Sequence, residues 1–354
     1  GDAARVWDTV RIMPAVRVLV SDQAVLHAAF SSDGRQIITA PRWNGAALAQ
    51  ARVVDVETGK TLVNRIEHRG NVNFACFSPD GRWVLTGSSD KTARVWDSTT
   101  GQPVSAAMDH SIDVRHASFS PDGRRVVTAS GSDVATIRRN PDGTVTRSNT
   151  QGQARVWDAA TGKPVTEPLR HDSGVLWACF SPDGTRVVTA AGRLDLNASV
   201  GEARIWNAET GEAVAAPLKH LGPVRRATFS RDGRRLVTIG DYGVRIWDTA
   251  SGEAVTEIGR PLPIMPGIKD AELSSDGRRL ATATGGVIGA RGEARLWDVE
   301  TGQPLTPPMI HSQGIQDVDF SPDGILIVTG TGHDSPGRDK GEIRLWDATT
   351  GEPV

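Results

Sequence analysis

The sequence is poor in the features that would assign a chemistry at once. It has two cysteines, Cys76 and Cys179, in unrelated neighbourhoods and without a second ligand pair. That excludes a disulfide framework and gives no zinc spacing, and it fits a reducing, cytoplasmic setting. Neither charge sign dominates: 40 Lys and Arg stand against 42 Asp and Glu, for a net charge of −2 and a pI near 6.5. A chain so balanced carries no electrostatic footprint for nucleic acid or an anionic membrane. No apolar run is long enough to span a bilayer. No basic-then-apolar leader stands at the N-terminus either, although a chain opening Gly1-Asp2 is consistent with trimming.

What the sequence has in abundance is repetition. "FSPDG" and its variants recur seven times in register, with Phe30, Phe77, Phe119, Phe180, Phe229, Leu273 and Phe320 as anchors. A branched aliphatic lies five residues before each anchor (Val25, Val72, Val114, Val175, Val224, Ile268, Ile315) and a threonine nine after it (Thr39, Thr86, Thr128, Thr189, Thr238, Thr282, Thr329). The apolar runs on either side of "SPDG", such as "VLWACF" and "TRVVTA", have the length and β-branched content of strands. Pro, Asp and Gly at successive turn positions suit a type I turn closed by a left-handed glycine, which joins strand a to strand b. A second Gly-closed turn, "TGxPV", follows each "W-D" and joins strand c to strand d. Each unit is therefore expected to be a four-stranded meander. Such a sheet is apolar on both faces, so it needs copies of itself on either side.

With these residues in view, the W-D dipeptide, the "FSPDG" turn and a histidine ahead of strand a resemble the WD-repeat β-propeller family over essentially the whole chain. The resemblance implies an all-β, seven-bladed propeller of four-stranded antiparallel blades spanning 1–354, with a strands near 24–30, 71–77, 113–119, 174–180, 223–229, 267–273 and 314–320. Departures from the pattern are Val54 in place of Trp, Asn207 in place of Asp, and the lack of the histidine in the first and sixth units. The family's way of closing the ring implies that the N-terminal strand at about 10–20 completes the last blade. Residues 3–7 then duplicate a c strand, and the chain reads as a window from a longer protein. The near-identical units resemble bacterial multidomain arrays, in which propellers are joined to a protein kinase or NTPase module.

Function is sought where the pattern is free to vary. From the Thr to the Trp position the spacing runs 15, 10, 29, 17, 9, 15 and 17 residues, whereas the Trp-to-aliphatic spacing is 18 in six of seven cases. The b–c loops thus carry nearly all the length variation, on what is here termed the top face, and variable loops on a rigid scaffold are where specificity is usually placed. The longest, at 130–153, has its own "NPDG" turn and is expected to form an extra hairpin bearing Arg138, Arg139 and Arg147. Those arginines suit either a basic finger for an acidic partner or a solvated hairpin with a guarded edge.

Four residues before each anchor lie Leu26, Asn73, Arg115, Leu176, Arg225, Lys269 and Gln316, and one position on lie His27, Phe74, His116, Trp177, Arg226, Asp270 and Asp317. Arg115, Arg225 and Arg226 around Leu176 and Trp177 have the composition of an interface hot spot; equally, long arginines can cover apolar surface and pair locally. Candidate partner contacts are therefore Asn73, Arg115, Leu176, Trp177, Arg225, Arg226, Lys269, Gln316 and the three hairpin arginines, for a protein or peptide partner. His68, Thr86, Asp90 and Trp96, with His220, Thr238, Asp241 and Trp247, resemble the family's buried hydrogen-bond tetrads. A Thr–His–Asp grouping also invites a nucleophile reading, but a catalytic triad has no reason to be copied around a ring. Asp270, Glu272, Asp317 and Asp319 could hold a cation or act as an acid/base pair, unless Lys269 or turn amides satisfy them. On balance the sequence points to a non-enzymatic interaction scaffold or sensor without a cofactor. A propeller enzyme or metal site built on these carboxylates is the alternative, and nucleic-acid binding is a weaker one.

Overall fold

The computed structural model describes residues 3–6, 17–20, 25–41, 48–132, 136–139, 145–148, 152–193, 200–240, 243–258, 268–285, 291–321, 323–331 and 343–354. Among them there is no helix. Strands β1 (Ala3–Val6) and β2 (Arg17–Val20) form a two-stranded ladder. Sheet one follows with β3 (Val25–Phe30), β4 (Gln36–Pro41), β5 (Ala49–Asp55) and β6 (Thr61–His68); sheet two has β7 (Val72–Phe77), β8 (Trp83–Ser88), β9 (Thr92–Asp97) and β10 (Met108–Asp109). In sheet three, β11 (Val114–Phe119) and β12 (Arg125–Ser130) are separated from β15 (Gln153–Asp158) and β16 (Leu169–Arg170) by a hairpin of β13 (Thr136–Arg139) and β14 (Val145–Ser148). Sheet four has β17 (Val175–Phe180), β18 (Arg186–Arg193), β19 (Val200–Asn207) and β20 (Leu218–His220), and sheet five β21 (Val224–Phe229), β22 (Arg235–Gly240), β23 (Gly243–Asp248) and β24 (Ala254–Ile258). Sheet six comprises β25 (Ile268–Leu273), β26 (Arg279–Thr284), β27 (Gly292–Asp298) and β28 (Met309–His311); sheet seven has three strands, β29 (Ile315–Phe320), β30 (Leu326–Thr331) and β31 (Ile343–Asp347). All described ladders are antiparallel and, apart from β12 with β15 across the inserted hairpin, join chain neighbours, as a meander requires. The expected pairing of the N-terminal strand with the last blade is not among the described ladders, in which β2 pairs with β1.

Two compact units divide the chain: residues 1–195 with 205–214, and 196–204 with 215–354. Sheets one to three belong to the first and sheets five to seven to the second. Within each, neighbouring sheets share a core. Ile38, Val53 and Ile66 of sheet one pack with Val72, Ala75 and Val84 of sheet two. On the other face of sheet two, Leu85, Val95 and Met108 meet Val114, Ala117 and Val126 of sheet three. Val84 and Leu85 are adjacent and both fully buried, on opposite faces, so the sheet is covered twice.

The turns form as their chemistry dictates. Ser78 Oγ donates to Asp80 Oδ1 (2.6 Å) and accepts from the Trp83 amide (2.9 Å), while the Gly81 amide closes on the Ser78 carbonyl (2.9 Å) at φ +71°. In the c–d turn, Asp97 Oδ1 accepts from the Thr100 amide (2.7 Å) and hydroxyl (2.8 Å). Asn207 does the same work with its amide oxygen, from the Glu209 (2.9 Å) and Thr210 (3.0 Å) amides, so the exchange loses charge but keeps the turn.

The d strands depart from the expected meander. In sheets two, three, four and six they are reduced to two or three residues preceded by a single bridge, such as Trp96 with Pro103 and Trp157 with Pro164. Each of those d segments contains proline, which lacks the N–H a ladder needs. The two segments without proline, in sheets one and five, run unbroken as β6 and β24.

Gly162 serves its turn twice: φ is +71°, and a Cβ there would lie 2.5 Å from the Ala106 carbonyl oxygen of the preceding sheet. Gly34 has the same φ class (+69°) with nothing within 4 Å. Gly34→Ala should therefore cost about 1 kcal/mol in urea unfolding, and Gly162→Ala clearly more. Equal losses would show that the close approach between sheets contributes nothing.

Candidate functional site

The buried polar groups come first, because they could be mistaken for an active site. Trp96 Nε1 donates to Thr86 Oγ1 (2.8 Å), and His68 Nε2 lies 2.7 Å from the same oxygen. His68 Nδ1 faces Asp90 Oδ2 at 2.9 Å. An ionised carboxylate only accepts, so Nδ1 carries the proton and the Thr86 hydroxyl donates to Nε2. Burial alone would raise the Asp90 carboxyl, but His68, Thr92 and the Arg69 amide hold it well below the usual carboxylate range. The connectivity is that of a Thr–His–Asp triad, yet Thr86 is 0% and His68 1% exposed, and no substrate can reach the hydroxyl.

The placement of the histidines explains the network. His68 ends β6 of sheet one, whereas Thr86 and Trp96 belong to sheet two, so the bond crosses from one sheet to the next. His110 to Thr128 (2.9 Å), His171 to Thr189 (2.7 Å), His220 to Thr238 (2.8 Å) and His311 to Thr329 (2.7 Å) repeat the crossing, each with a tryptophan donating to the same threonine at 2.8 Å. Sheet six has only Trp297 on Thr282 (2.8 Å). Asp241, the expected fourth member of the His220 set, lies outside the described residues. His110 and His220 are pushed down to about 4, chiefly by burial and secondarily by the charges of Arg155 and Arg245.

Six of the candidate partner residues, Asn73, Arg115, Leu176, Arg225, Lys269 and Gln316, share a backbone feature. In all seven a strands the ladder to strand b slips by one residue, between Val25 and His27, Val72 and Phe74, Val114 and His116, Val175 and Trp177, Val224 and Arg226, Ile268 and Asp270, and Ile315 and Asp317. The residue skipped is Leu26, Asn73, Arg115, Leu176, Arg225, Lys269 or Gln316. A bulge bends the strand and re-aims the side chain it carries. Its imprint is visible in burial: in β7, Val72, Ala75 and Phe77 are buried, a step of three and then of two. The signal was present in the sequence as the five-residue spacing from aliphatic to anchor, an odd number that an unbroken strand would split between two faces, whereas Val72, Ala75 and Phe77 share one core.

The bulge side chains differ in engagement. Arg115, Arg225 and Lys269 are exposed, Leu26 is 44% exposed, and Leu176 is half-buried. Asn73 is tied inward, donating through Nδ2 to Ser89 Oγ (3.1 Å) and to the Val114 carbonyl of the next sheet (2.8 Å), and Arg115 Nε donates to the Gly131 carbonyl (3.1 Å). The side chains of Gln316, Arg138, Arg139 and Arg147 lie outside the described residues, as do most residues of the b–c loops; for the three arginines the backbone pairing of β13 with β14 is described.

One position further on, the residues sort by chemistry. In the first unit the rings form a row: His27 to Phe74 (4.3 Å between centroids), Phe74 to His116 (4.2 Å) and His116 stacked on Trp177 (3.5 Å, 22°). His116 Nδ1 also lies 3.0 Å from the Ala178 carbonyl, which fixes that nitrogen as the protonated one. In the second unit Arg226 forks onto Asp270 through Nη1 and onto Glu272 through Nη2 (2.9 Å). The carboxylates thus find their cation in Arg226, a candidate partner contact, rather than in Lys269, whose methylenes run along Gly285. Burial pushes Glu272 up to about 7 against the pull of Arg226, with Asp319 and Asp270 adding repulsion. Asp317 and Asp319 keep contact with water yet are crowded by protein on several sides, and that crowding raises both carboxyls. No group of three or more metal-ligating side chains is arranged for an ion among the described residues. No helix among them is long and apolar enough to cross a membrane.

Repeated four-stranded meanders, stapled from sheet to sheet by His–Thr–Trp bonds and bulged on every a strand, the inner strand of a propeller blade, define a repeat protein of the β-propeller class. The family model for the WD domain, G-beta repeat, matches residues 59–97, 101–146, 162–195, 215–248 and 303–347, more than half of the chain, and the protein belongs to that family. The unmatched stretches include the two departures in sheets one and six, Val54 and the missing sixth histidine. The structure is similar to the crystal structure of the computationally designed Ika8 protein, with 20% identity, a TM-score of 0.66, and coverage of 94% of this chain and 86% of that one. No curated protein matches.

Two predictions follow from the staples. Thr86→Val strands both His68 and Trp96 and should cost about 3 kcal/mol, whereas Thr282→Val strands Trp297 alone and should cost about half as much, as read from chemical unfolding. His110 and His220 titrate lower folded than unfolded, so the folded chain binds fewer protons between pH 6.5 and 4. The stability they confer is full above 6.5 and is lost as pH falls towards 4, by up to ~3 kcal/mol each. His110→Gln should remove part of that acid loss relative to the parent, and an identical pH profile would refute the assignment.

Proposed function

We propose that this protein is a non-enzymatic interaction scaffold or sensor domain that binds a protein or peptide partner through its bulged inner-strand residues, with the b–c loops adding specificity. Members of the WD-repeat family are typically interaction scaffolds, and that membership supports the broad reading. The observation that carries the finer one is the bulge itself. Each a strand gives up one ladder position at the same place, and the residues so released are chemically varied while the aliphatic residue before each of them is uniform. A purely structural position in a repeat has no reason to alternate Leu, Asn, Arg and Lys. In the first unit the candidate surface is Arg115 and Leu176 beside Trp177; in the second it is Arg225, Lys269 and Gln316. The basic hairpin arginines Arg138, Arg139 and Arg147 extend the first. The same reading places the domain in a cytoplasmic signalling context, beside a catalytic module such as a protein kinase or an NTPase.

An enzyme or metal site on the carboxylates is disfavoured by the Arg226 fork, which occupies two of them with a guanidinium fixed among them. The test is affinity capture from source-cell lysate with the parent, with Arg115→Glu/Leu176→Ala, and with Arg225→Glu/Lys269→Glu, after circular dichroism and melting show all three folded. A partner retained by the parent and lost by at least one pair supports the reading. Capture that is equal for all three, or no partner at all, overturns the assignment of these residues.

A further inference from the structure

The crossing from sheet five to sheet six lacks the histidine staple found at five other crossings, and the sequence has no histidine between His220 and His311. The fork of Arg226, on β21, onto Asp270 and Glu272 of β25 bridges the two sheets, alongside Thr256 Oγ1 of β24, which donates to the Val299 carbonyl (2.8 Å). Asp270 then reaches the next sheet as well: its Oδ2 accepts from the Val318 amide of β29 (3.2 Å), and its carboxyl is hydrogen-bonded to that of Asp317. One guanidinium thus stands among four carboxyls: it pairs with Asp270, which is 5% exposed, and with Glu272, while Asp317 and Asp319 feel its charge without a contact of that kind. Fully ionised, the group would hold an excess of negative charge in a partly buried place, where two touching carboxylates repel unless a proton lies between them. The remaining charges on the packed elements point elsewhere. Lys269 lies along Gly285, Arg279 of β26 donates to the Gly324 and Ala348 carbonyls, Glu293 and Arg295 of β27 pair with each other, and Arg235 beside them on β22 pairs with Asp248.

We infer that Arg226, Asp270, Glu272 and Asp317 form a proton-dependent joint across sheets five, six and seven, tight while Asp317 shares a proton with Asp270 and looser once that proton has left to water. Where the staples of His110 and His220 keep their full strength above about pH 6.5, the joint loses strength as pH rises. Its sign is opposite to that of the buried histidines. A carboxyl raised in the folded state stabilises fully below its unfolded value, about 3.9, and that stability is lost as pH rises through the folded value. Glu272, pushed up to about 7, reinforces the same direction.

The experiment is amide hydrogen exchange on the whole chain from pH 5 to 8.5, corrected for the intrinsic pH dependence of exchange and read at Val318 and its neighbours in β29. The amides of β12, whose Thr128 is bonded to His110, serve as the internal reference. Protection of Val318 should fall by up to about tenfold per pH unit up to about 7 and level off above it, while β12 shows no such fall. Asp317→Asn, which keeps a hydrogen-bonding group but has no proton to lose, should make Val318 protection independent of pH. A parent profile at Val318 that is flat, or that follows β12, overturns the joint without any variant. So does a slope left unchanged in both Asp317→Asn and Glu272→Gln.

Discussion

A four-stranded sheet that is apolar on both faces must be covered twice, and this requirement governs the rest of the structure. Val84 and Leu85, adjacent in one strand and buried in two different cores, state it at the scale of a peptide bond. A neighbouring sheet of the same kind supplies each cover, so the unit is repeated. Apolar faces slide easily over one another, however, and burial is not directional. The hydrogen bonds that cross from sheet to sheet supply the direction: a histidine at the end of one d strand, a threonine hydroxyl in the next b strand, and a tryptophan from the c strand. Because the threonine hydroxyl is shared, the histidine that accepts from it and the tryptophan that donates to it are fixed relative to each other as well as to it.

The same geometry explains why a constellation that looks catalytic is inert and why the inner strands are the better place to look for function. His68, Thr86 and Asp90 have the connectivity of a triad, but the packing that holds them also seals them. On the inner strands the reverse holds. A bulge releases one residue per sheet from the ladder, so its identity can change without disturbing either core, and the next residue is free to specialise. In one unit that position became a row of rings, in the other an ion-paired cluster.

Most of the architecture was legible in the residues because it rests on local chemistry repeated in register. Ser, Asp and Gly in "SPDG" make the turn, and Thr and Trp at fixed spacing make the staple. What was less legible depends on three-dimensional neighbours. The prolines at 103, 164, 217 and 304 are plain in the sequence, but their effect on strand d follows from the N–H they withhold from strand c. The aromatic row joins residues of four different repeats and is seen only when equivalent positions are read across units rather than along the chain. Arg226 stood among candidate partner contacts because exposure and local pairing cannot be told apart from sequence; the deciding fact is that Asp270 and Glu272 arrive beside it from the following repeat. The b–c loops, where length varies most, are the part of the candidate site for which sequence remains the guide.

The broken d strands have a consequence for the chain in concentrated solution. An outermost strand with free N–H and C=O groups is a template on which another molecule's strand can add, and repetition would offer that template many times over. Proline interrupts it in sheets two, three, four and six. In sheet one the continuous β6 instead presents Arg65 and Glu67, and in sheet five β24 presents Glu257, charges that resist stacking by a like strand. The repeat that makes the fold easy to build is thus kept, edge by edge, from becoming the seed of a fibre.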